Sequence, residues 1–234
     1  MLDRFKFKLM LAFLMVLDHI DFFVPDSWNI VFGIASRCVA VGFAYLAVEG
    51  FIHTRDVKKY LIRLYGFAIF MLIGNYILNG IFADRDVVIR NSILMELAIG
   101  VSILYVYRDI ENIILKIVLI LGLLYASSYF EGGMLIPIVI FVSYIFWNNE
   151  FKRNASYISI ALYYFSNALN YSIYYSDPYI LLAYYNYFIV ITIPILKLYN
   201  GKVGLNNAFS KYFFYVFYPL HLWIIATITY FMKN

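Results

Sequence analysis

Residues 30–59 read IVFGIASRCVAVGFAYLAVEGFIHTRDVKK, an apolar run carrying only Arg37 and Glu49 as charges that gives way abruptly to His53-Thr54-Arg55-Asp56 and Lys58-Lys59. A helix crosses the hydrocarbon core of a bilayer with about 20 largely apolar residues, and positions 30–53 supply that length. The bases that follow mark the end of a span that stays in the cytoplasm, because Lys and Arg are retained on that side. Gly33, Ala35, Ser36, Ala40, Gly42, Ala44, Ala47 and Gly50 stud the run. Small side chains let neighbouring helices approach closely, so this helix is expected at the centre of a bundle.

The rest of the chain repeats the pattern. Hydrophobic residues make up 64% of its 234 positions and charged residues 14%, against about 45–50% and 25% in an ordinary soluble domain. Further apolar runs lie at about 8–24, 60–81, 91–107, 113–130, 133–147, 156–175, 179–197 and 208–231. The expectation is an all-α, polytopic transmembrane helix bundle of about nine spans, a single integral membrane domain over residues 1–234. With the N-terminus in the cytoplasm, Arg4, Lys6, Lys8, Arg55, Lys58, Lys59, Arg63, Arg108, Lys116, Lys152, Arg153, Lys197, Lys202 and Lys211 fall in or near cytoplasmic segments. Arg85, Arg90 and Lys233 fall outside, and Arg37 lies within a span. That asymmetry supports both the orientation and the count. The first run lacks a small-residue cleavage site and continues into Asp18-His19-Ile20-Asp21, so it is expected to be retained.

Composition also excludes several classes. The net charge is +4 and the bases are dispersed between apolar runs, which is no nucleic-acid groove. Cys38 is the only cysteine, so neither an intrachain disulfide nor a cysteine-based metal site is available. The three histidines stand on three different helices with no ligand spacing between them, and no metal is expected. Tyr and Phe number 24 and 22; such rings suit a membrane, with the Tyr hydroxyl reaching headgroup, water or a neighbouring helix.

Ionisable residues inside spans are costly, about 2.5–3.5 kcal/mol each at a helix centre on insertion scales, and they face a cavity or a partner. Here they are Asp18, His19 and Asp21 at the end of the first helix, Arg37 and Glu49 in the second, Glu96 in the fourth, Glu131 after the fifth and His221 in the last. Asp18, His19, Asp21, Arg37, Glu96 and Glu131 are expected toward the outer side. Glu49, His53, Thr54, Arg55 and Arg63 are expected toward the cytoplasm. Arg37 is placed to neutralise a carboxylate. These groups suggest a site with an imidazole near acids, an intramembrane arginine and a basic inner mouth; helix-to-helix pairing and simple orientation signals are the plainer readings of the same residues.

Four stretches, in order, resemble one family. Leu14-Met15-Val16-Leu17-Asp18-His19-Ile20 is similar to the opening helix of the TraX family, bacterial inner-membrane proteins named after the factor that acetylates the N-terminus of conjugative pilin. Ala47-Val48-Glu49-Gly50-Phe51-Ile52-His53-Thr54-Arg55 with Lys59-Tyr60-Leu61-Ile62-Arg63-Leu64 resembles its second segment. Asn91-Ser92-Ile93-Leu94 with Leu97-Ala98-Ile99-Gly100 resembles its fourth helix, and Tyr215-Val216-Phe217-Tyr218-Pro219-Leu220-His221-Leu222 its C-terminal signature.

The resemblance implies acetyl transfer from acetyl-CoA, as co-substrate, to the N-terminal amine of a membrane-associated or secreted protein or peptide, in the bacterial cytoplasmic membrane. His19, Asp18, Arg37, Glu49 and His221 are then the catalytic candidates. His53, Arg55, Lys58, Lys59 and Arg63 are candidates for the phosphates of the donor, and Asp21, Glu96, Glu131 and Tyr218 for oxyanion stabilisation or substrate positioning. Two other classes fit the intramembrane charges: a proton-coupled small-molecule transporter, and a structural component of a secretion or pilus apparatus.

Overall fold

The computed structural model describes residues 1–90 and 92–233, apart from the side chains of Ala183 and Tyr185; Asn91, part of the fourth-helix resemblance, lies outside the described residues. Among these residues the chain is all-helical, with α1 (Arg4–Asp18), α2 (Asp26–His53), α3 (Val57–Ile81), α4 (Ile93–Asp109), α5 (Ile113–Ser127), α6 (Leu135–Ile145), α7 (Glu150–Tyr175), α8 (Tyr179–Ala183), α9 (Thr192–Leu196) and α10 (Ala208–Met232). Four of them start on a carboxylate or amide. Asp3, Asp56, Asn112 and Asn149 accept the backbone N–H of Lys6, Lys59, Leu115 and Lys152 at 2.9–3.0 Å, satisfying donors that the first turn of a helix leaves open.

Each expected run coincides with a helix except the eighth. Positions 179–197 divide into α8, a 3₁₀ stretch over Tyr185–Ile191, and α9. Pro194, inside α9, brings no N–H to the carbonyl of Val190 at the end of the 3₁₀ stretch, while α8 ends ten residues earlier at Tyr184, whose backbone leaves the helical region. On length and composition, α2, α3, the stretch Tyr179–Leu196 and α10 are long and apolar enough to cross a membrane. α5 and α6 are apolar but have 15 and 11 residues, roughly 22 and 16 Å at the α-helical rise. α7 has 26 residues but begins Glu150-Phe151-Lys152-Arg153-Asn154.

The chain divides into two compact units, residues 1–42 with 146–214, and residues 43–145 with 215–234. In the first, the start of α1 is stitched to the segment after α9. Leu2 N–H donates to the Leu198 carbonyl at 2.6 Å, Asn200 N–H to the Leu2 carbonyl at 3.0 Å and Arg4 N–H to the Lys202 carbonyl at 2.8 Å. Phe7 stacks on Tyr199 with centroids 5.2 Å apart. Gly204, at φ +65°, lies against the Asp3 carboxyl where a side chain would collide. α1 also packs on α2 through Leu11, whose side chain occupies the space a Cβ on Gly42 would need.

In the second unit, α3 and α10 run side by side in the same direction. Phe67 stacks on Tyr215 with centroids 4.6 Å apart, Trp223 Nε1 donates to Asn75 Oδ1 at 2.8 Å, and Phe82 stacks on Tyr230 at 4.8 Å. Arg85 donates to the carbonyls of Tyr230 and Lys233 at 2.8 and 2.6 Å and so closes the end of α10. α4 returns antiparallel to α3, joined to it by Tyr65 and Ser102 hydroxyls 2.9 Å apart, and is buried along most of its length. At one end of this unit Arg108 lies over the Phe51 ring, which meets Tyr144 edge-on. At the other, the α5–α6 turn meets the first turn of α4 and Arg85 meets the tail of α10. Arg55, Lys58, Lys59, Arg63 and Arg108 therefore belong to the first end, and Arg85, Arg90 and Lys233 to the second.

Candidate functional site

The first unit brings together two of the sequence-derived residues. Asp18 is the last residue of α1, and its carboxylate accepts both bonds of Arg37 Nη2, at 2.8 and 3.0 Å. Ser36 Oγ donates to the same carboxylate at 2.6 Å. Arg37 Nε is directed back to the Gly33 carbonyl at 2.9 Å, one turn earlier on α2. The pair thus ties the end of α1 to α2, with both side chains 24% exposed. His19 caps α1, its backbone N–H donating to the Val16 carbonyl at 3.1 Å, and is half-buried. Asp21 begins a short 3₁₀ turn and is exposed; its carbonyl accepts from Asn29 Nδ2 at 3.2 Å. Sequence reasoning anticipated a carboxylate for Arg37 but counted Ser36 only as a small residue.

The second unit groups Glu131, Tyr218 and Glu96 around the N-terminus of α4. Ser92 N–H donates to Glu131 Oε2 at 3.2 Å, and Ile93 N–H to the Tyr218 hydroxyl at 3.3 Å. Both acceptors meet the partial positive charge of a helix start. Glu96, one turn into α4, is fully buried and accepts the Gly132 N–H through Oε1. Its Oε2 is buried with no hydrogen-bond partner among the described residues. Gly132 lies so close to this carboxyl that a side chain there would push the Glu96 carboxyl aside, which makes that glycine a part of the site.

His221 stands one turn beyond Phe217 on α10 and is buried. Its ring stacks on Phe217 with centroids 5.2 Å apart, and its Nδ1 is 3.0 Å from the Phe217 carbonyl oxygen. A carbonyl can only accept, so Nδ1 carries the hydrogen and the neutral ring holds its lone pair on Nε2, the arrangement of a base. The Tyr218 ring is 5.7 Å from the same imidazole. Glu49 is buried in α2, on the turn where Tyr60 donates its hydroxyl to the Ala47 carbonyl at 3.3 Å.

The basic mouth divides in two. His53, Arg55, Lys58 and Lys59 are exposed around the α2–α3 turn. Asp56 caps α3 there and pairs with Lys59 at 3.4 Å. The Lys59 N–H, followed by the Lys59 side chain and charge, holds the Asp56 carboxyl below its ordinary range. Arg63 is different: it is half-buried, with its guanidinium 5.4 Å from the Tyr60 ring and 6.0 Å from the Tyr215 ring. Among the described residues no group of three or more His, Cys, Asp or Glu is placed to hold a metal ion. Ser92, Asn75 and Gly132 escaped sequence reasoning; Asn75, a lone amide within an apolar helix, was the one with a visible signal.

The family model described as TraX protein matches residues 4–229. The chain is also similar to a probable fimbrial assembly protein, FimC of serogroup H1, from Dichelobacter nodosus. The two are 25% identical over 242 aligned positions, covering 99% of this chain and 97% of the relative. No solved structure matches it. With the matched family model running through all ten helices, from the first turn of α1 to the last turns of α10, the chain belongs to the TraX family.

Proposed function

We propose that the protein is a membrane acetyltransferase that moves an acetyl group from acetyl-CoA to the N-terminal amine of a secreted or membrane-associated protein, of the pilin kind. The observation that carries this reading is His221, a buried imidazole whose Nδ1–H is committed to the Phe217 carbonyl, which leaves the lone pair of the neutral ring on Nε2. An ammonium group cannot attack a thioester. A base removes its proton, the amine nitrogen bonds to the acetyl carbon, the C–S bond breaks, and the thiolate leaves to be protonated. His221 Nε2 is the base in this scheme, and the Tyr218 hydroxyl, one residue from Pro219, donates to the oxyanion. Glu49, buried on α2 at the level of Tyr60, lies toward the basic turn and is assigned to the donor end of the site. His19, next to Asp18 and Arg37, is the alternative base. Glu96 and Glu131 act by holding the α5–α6 turn and the start of α4, and Asp21, three residues after Asp18, belongs with the alternative base His19.

Exposed His53, Arg55, Lys58 and Lys59 suit the phosphates of the donor, which is cytosolic. In this reading the α2–α3 turn faces the cytoplasm; the N-terminus does so too and the chain crosses the bacterial cytoplasmic membrane about nine times, a reading that the distribution of Lys and Arg supports. The name of the Dichelobacter relative, a probable fimbrial assembly protein, favours a second reading, a non-enzymatic component of a fimbrial assembly machine. Labelled acetyl-CoA and peptides with free or blocked N-termini, incubated with the protein in nanodiscs, separate the two. Label on the free amine alone supports transfer; no label on any peptide, with pilus assembly intact in cells, leaves the assembly component.

A further inference from the structure

Between α3 and α10 lies a groove of about 500 Å³, lined by Arg63, Gly66, Phe67, Phe70, Tyr215, Val216, Pro219, Leu220 and Trp223. Two residues open it. Gly66 has nothing within 4 Å of the position its Cβ would take, and Pro219 faces it without a long side chain. The walls are apolar, and Phe70, Val216 and Leu220 are well exposed. The one charge, Arg63, sits at the end nearest the basic turn. Its Nε is buried and has no hydrogen-bond partner among the described residues.

A buried guanidinium donor without an acceptor is costly unless something supplies one. Tyr60 and Tyr215 hold the guanidinium through their ring faces, which attract a cation and accept no conventional hydrogen bond. On α3 the order Lys59, Arg63, Gly66 and Phe67, Phe70 follows one face at three- and four-residue steps, cationic first and apolar after. Arg63 and Phe70 are seven residues apart, roughly 10 Å along the axis. A cation at the mouth of an apolar slot of this kind matches a phosphate esterified to an acyl chain.

We propose that this groove is a binding site for an anionic phospholipid, with the phosphate on Arg63 and one acyl chain lying over Gly66 between Phe67, Phe70 and Leu220. The first turns of α3 carry Lys58, Lys59 and Arg63 against Asp56. That balance selects a headgroup of net negative charge over a choline. Arg63, Lys58 and Lys59 are shared with the candidates for the donor phosphates, but the slot includes neither His221 nor Tyr218, so lipid retention measured without acetyl-CoA tests this site apart from acetyl transfer.

The test is lipid retention. The full chain is reconstituted in equal parts dioleoyl phosphatidylglycerol and dioleoyl phosphatidylcholine, extracted in detergent, and the lipid that stays bound is measured by native mass spectrometry. Phosphatidylglycerol is expected in excess. Arg63→Gln should cut that excess about tenfold, the usual size of a lost charge-assisted hydrogen bond. Arg63→Lys should keep most of it. Val216→Trp, on an exposed wall position that tolerates bulk, should reduce retention by filling the slot. Lys152→Gln, on α7, should change nothing. Retention by Arg63→Gln and Val216→Trp equal to the unmodified protein would overturn the site. So would equal retention of dioleoyl glycerol, which lacks the phosphate, or complete displacement of the lipid by inorganic phosphate, which would make this a free-anion site.

Discussion

Asp18 and Arg37 each carry a charge that α1 and α2 could not keep in an apolar setting alone, and each removes the other's penalty. Asp18→Asn leaves the guanidinium without its carboxylate, and Arg37→Gln leaves the carboxylate with only Ser36. Either change should cost about 1–3 kcal/mol, toward the lower value because a quarter of each side chain is exposed. The double variant should lose clearly less than the sum, read as the shift in denaturation midpoint in micelles; strict additivity would mean that the pair is not coupled. At His221 a sharper substitution exists. Asn can keep an N–H on the Phe217 carbonyl where Nδ1 stood, but has no lone pair where Nε2 was. His221→Asn should therefore fold normally and lose about 10²–10⁴-fold in acetyl transfer. Undiminished transfer would remove His221 as the base and return the role to His19, for which His19→Ala is the matching variant. The Asp18–Arg37 pair was legible in the sequence as two charges in search of partners. The tautomer of His221 was not, because it depends on a carbonyl one helical turn away.

At the scale of the helices, α3 and α10 meet so closely that the Trp223 indole occupies the place of a Cβ on Gly74. Gly74→Val must push the indole away and break its bond to Asn75. A loss of about 1–3 kcal/mol is expected from that overpacking. Gly80→Ala, six residues on with nothing within 4 Å, should be neutral or gain up to about 1 kcal/mol from helix propensity. If both variants unfold alike, the α3–α10 contact is not what Gly74 serves. At the start of α3 the Asp56 cap depends on ionisation. Its folded-state carboxyl titrates below the ordinary 3.8, so its contribution is complete above that value and fades as pH falls through the lower one. Amide protection in the first turn of α3, corrected for the intrinsic exchange rate, should weaken as pH falls below 3.8, and Asp56→Asn, an equally good cap without a charge, should flatten that dependence. Apolar runs placed the helices well because length and hydropathy are local. The eighth run marked a stretch long and apolar enough to span but not its division into two short helices and a 3₁₀ segment, and the α3–α10 groove was invisible because its walls are joined across some 150 positions of sequence.

For the whole chain the decisive question is how many times it crosses the bilayer, since α5 and α6 are short for spans. A re-entrant hairpin and two true crossings return the chain to the same side, so the location of later loops cannot tell them apart. The turn between them can. Glu131 accepts from Ser92, and Gly132 donates to Glu96, so the α5–α6 turn lies at the N-terminal end of α4. The α4–α5 turn lies at the opposite end. α5 therefore spans the same depth as α4, with residues 128–130 extending its reach, and crosses if α4 crosses. Cys38 is the only cysteine, so Cys38→Ser gives a background in which single cysteines report exposure to an impermeant maleimide. In whole cells, cysteines at Arg90, Tyr129 and Asp177 should label. Those at Lys58, Lys152 and Lys202 should label only after the membrane is permeabilised. Protection at Tyr129 with labelling at Arg90 would turn α5 and α6 into a re-entrant hairpin. Labelling at Lys58 in intact cells would invert the orientation, strand the cations proposed for the donor phosphates away from cytosolic acetyl-CoA, and end the acetyl-transfer reading.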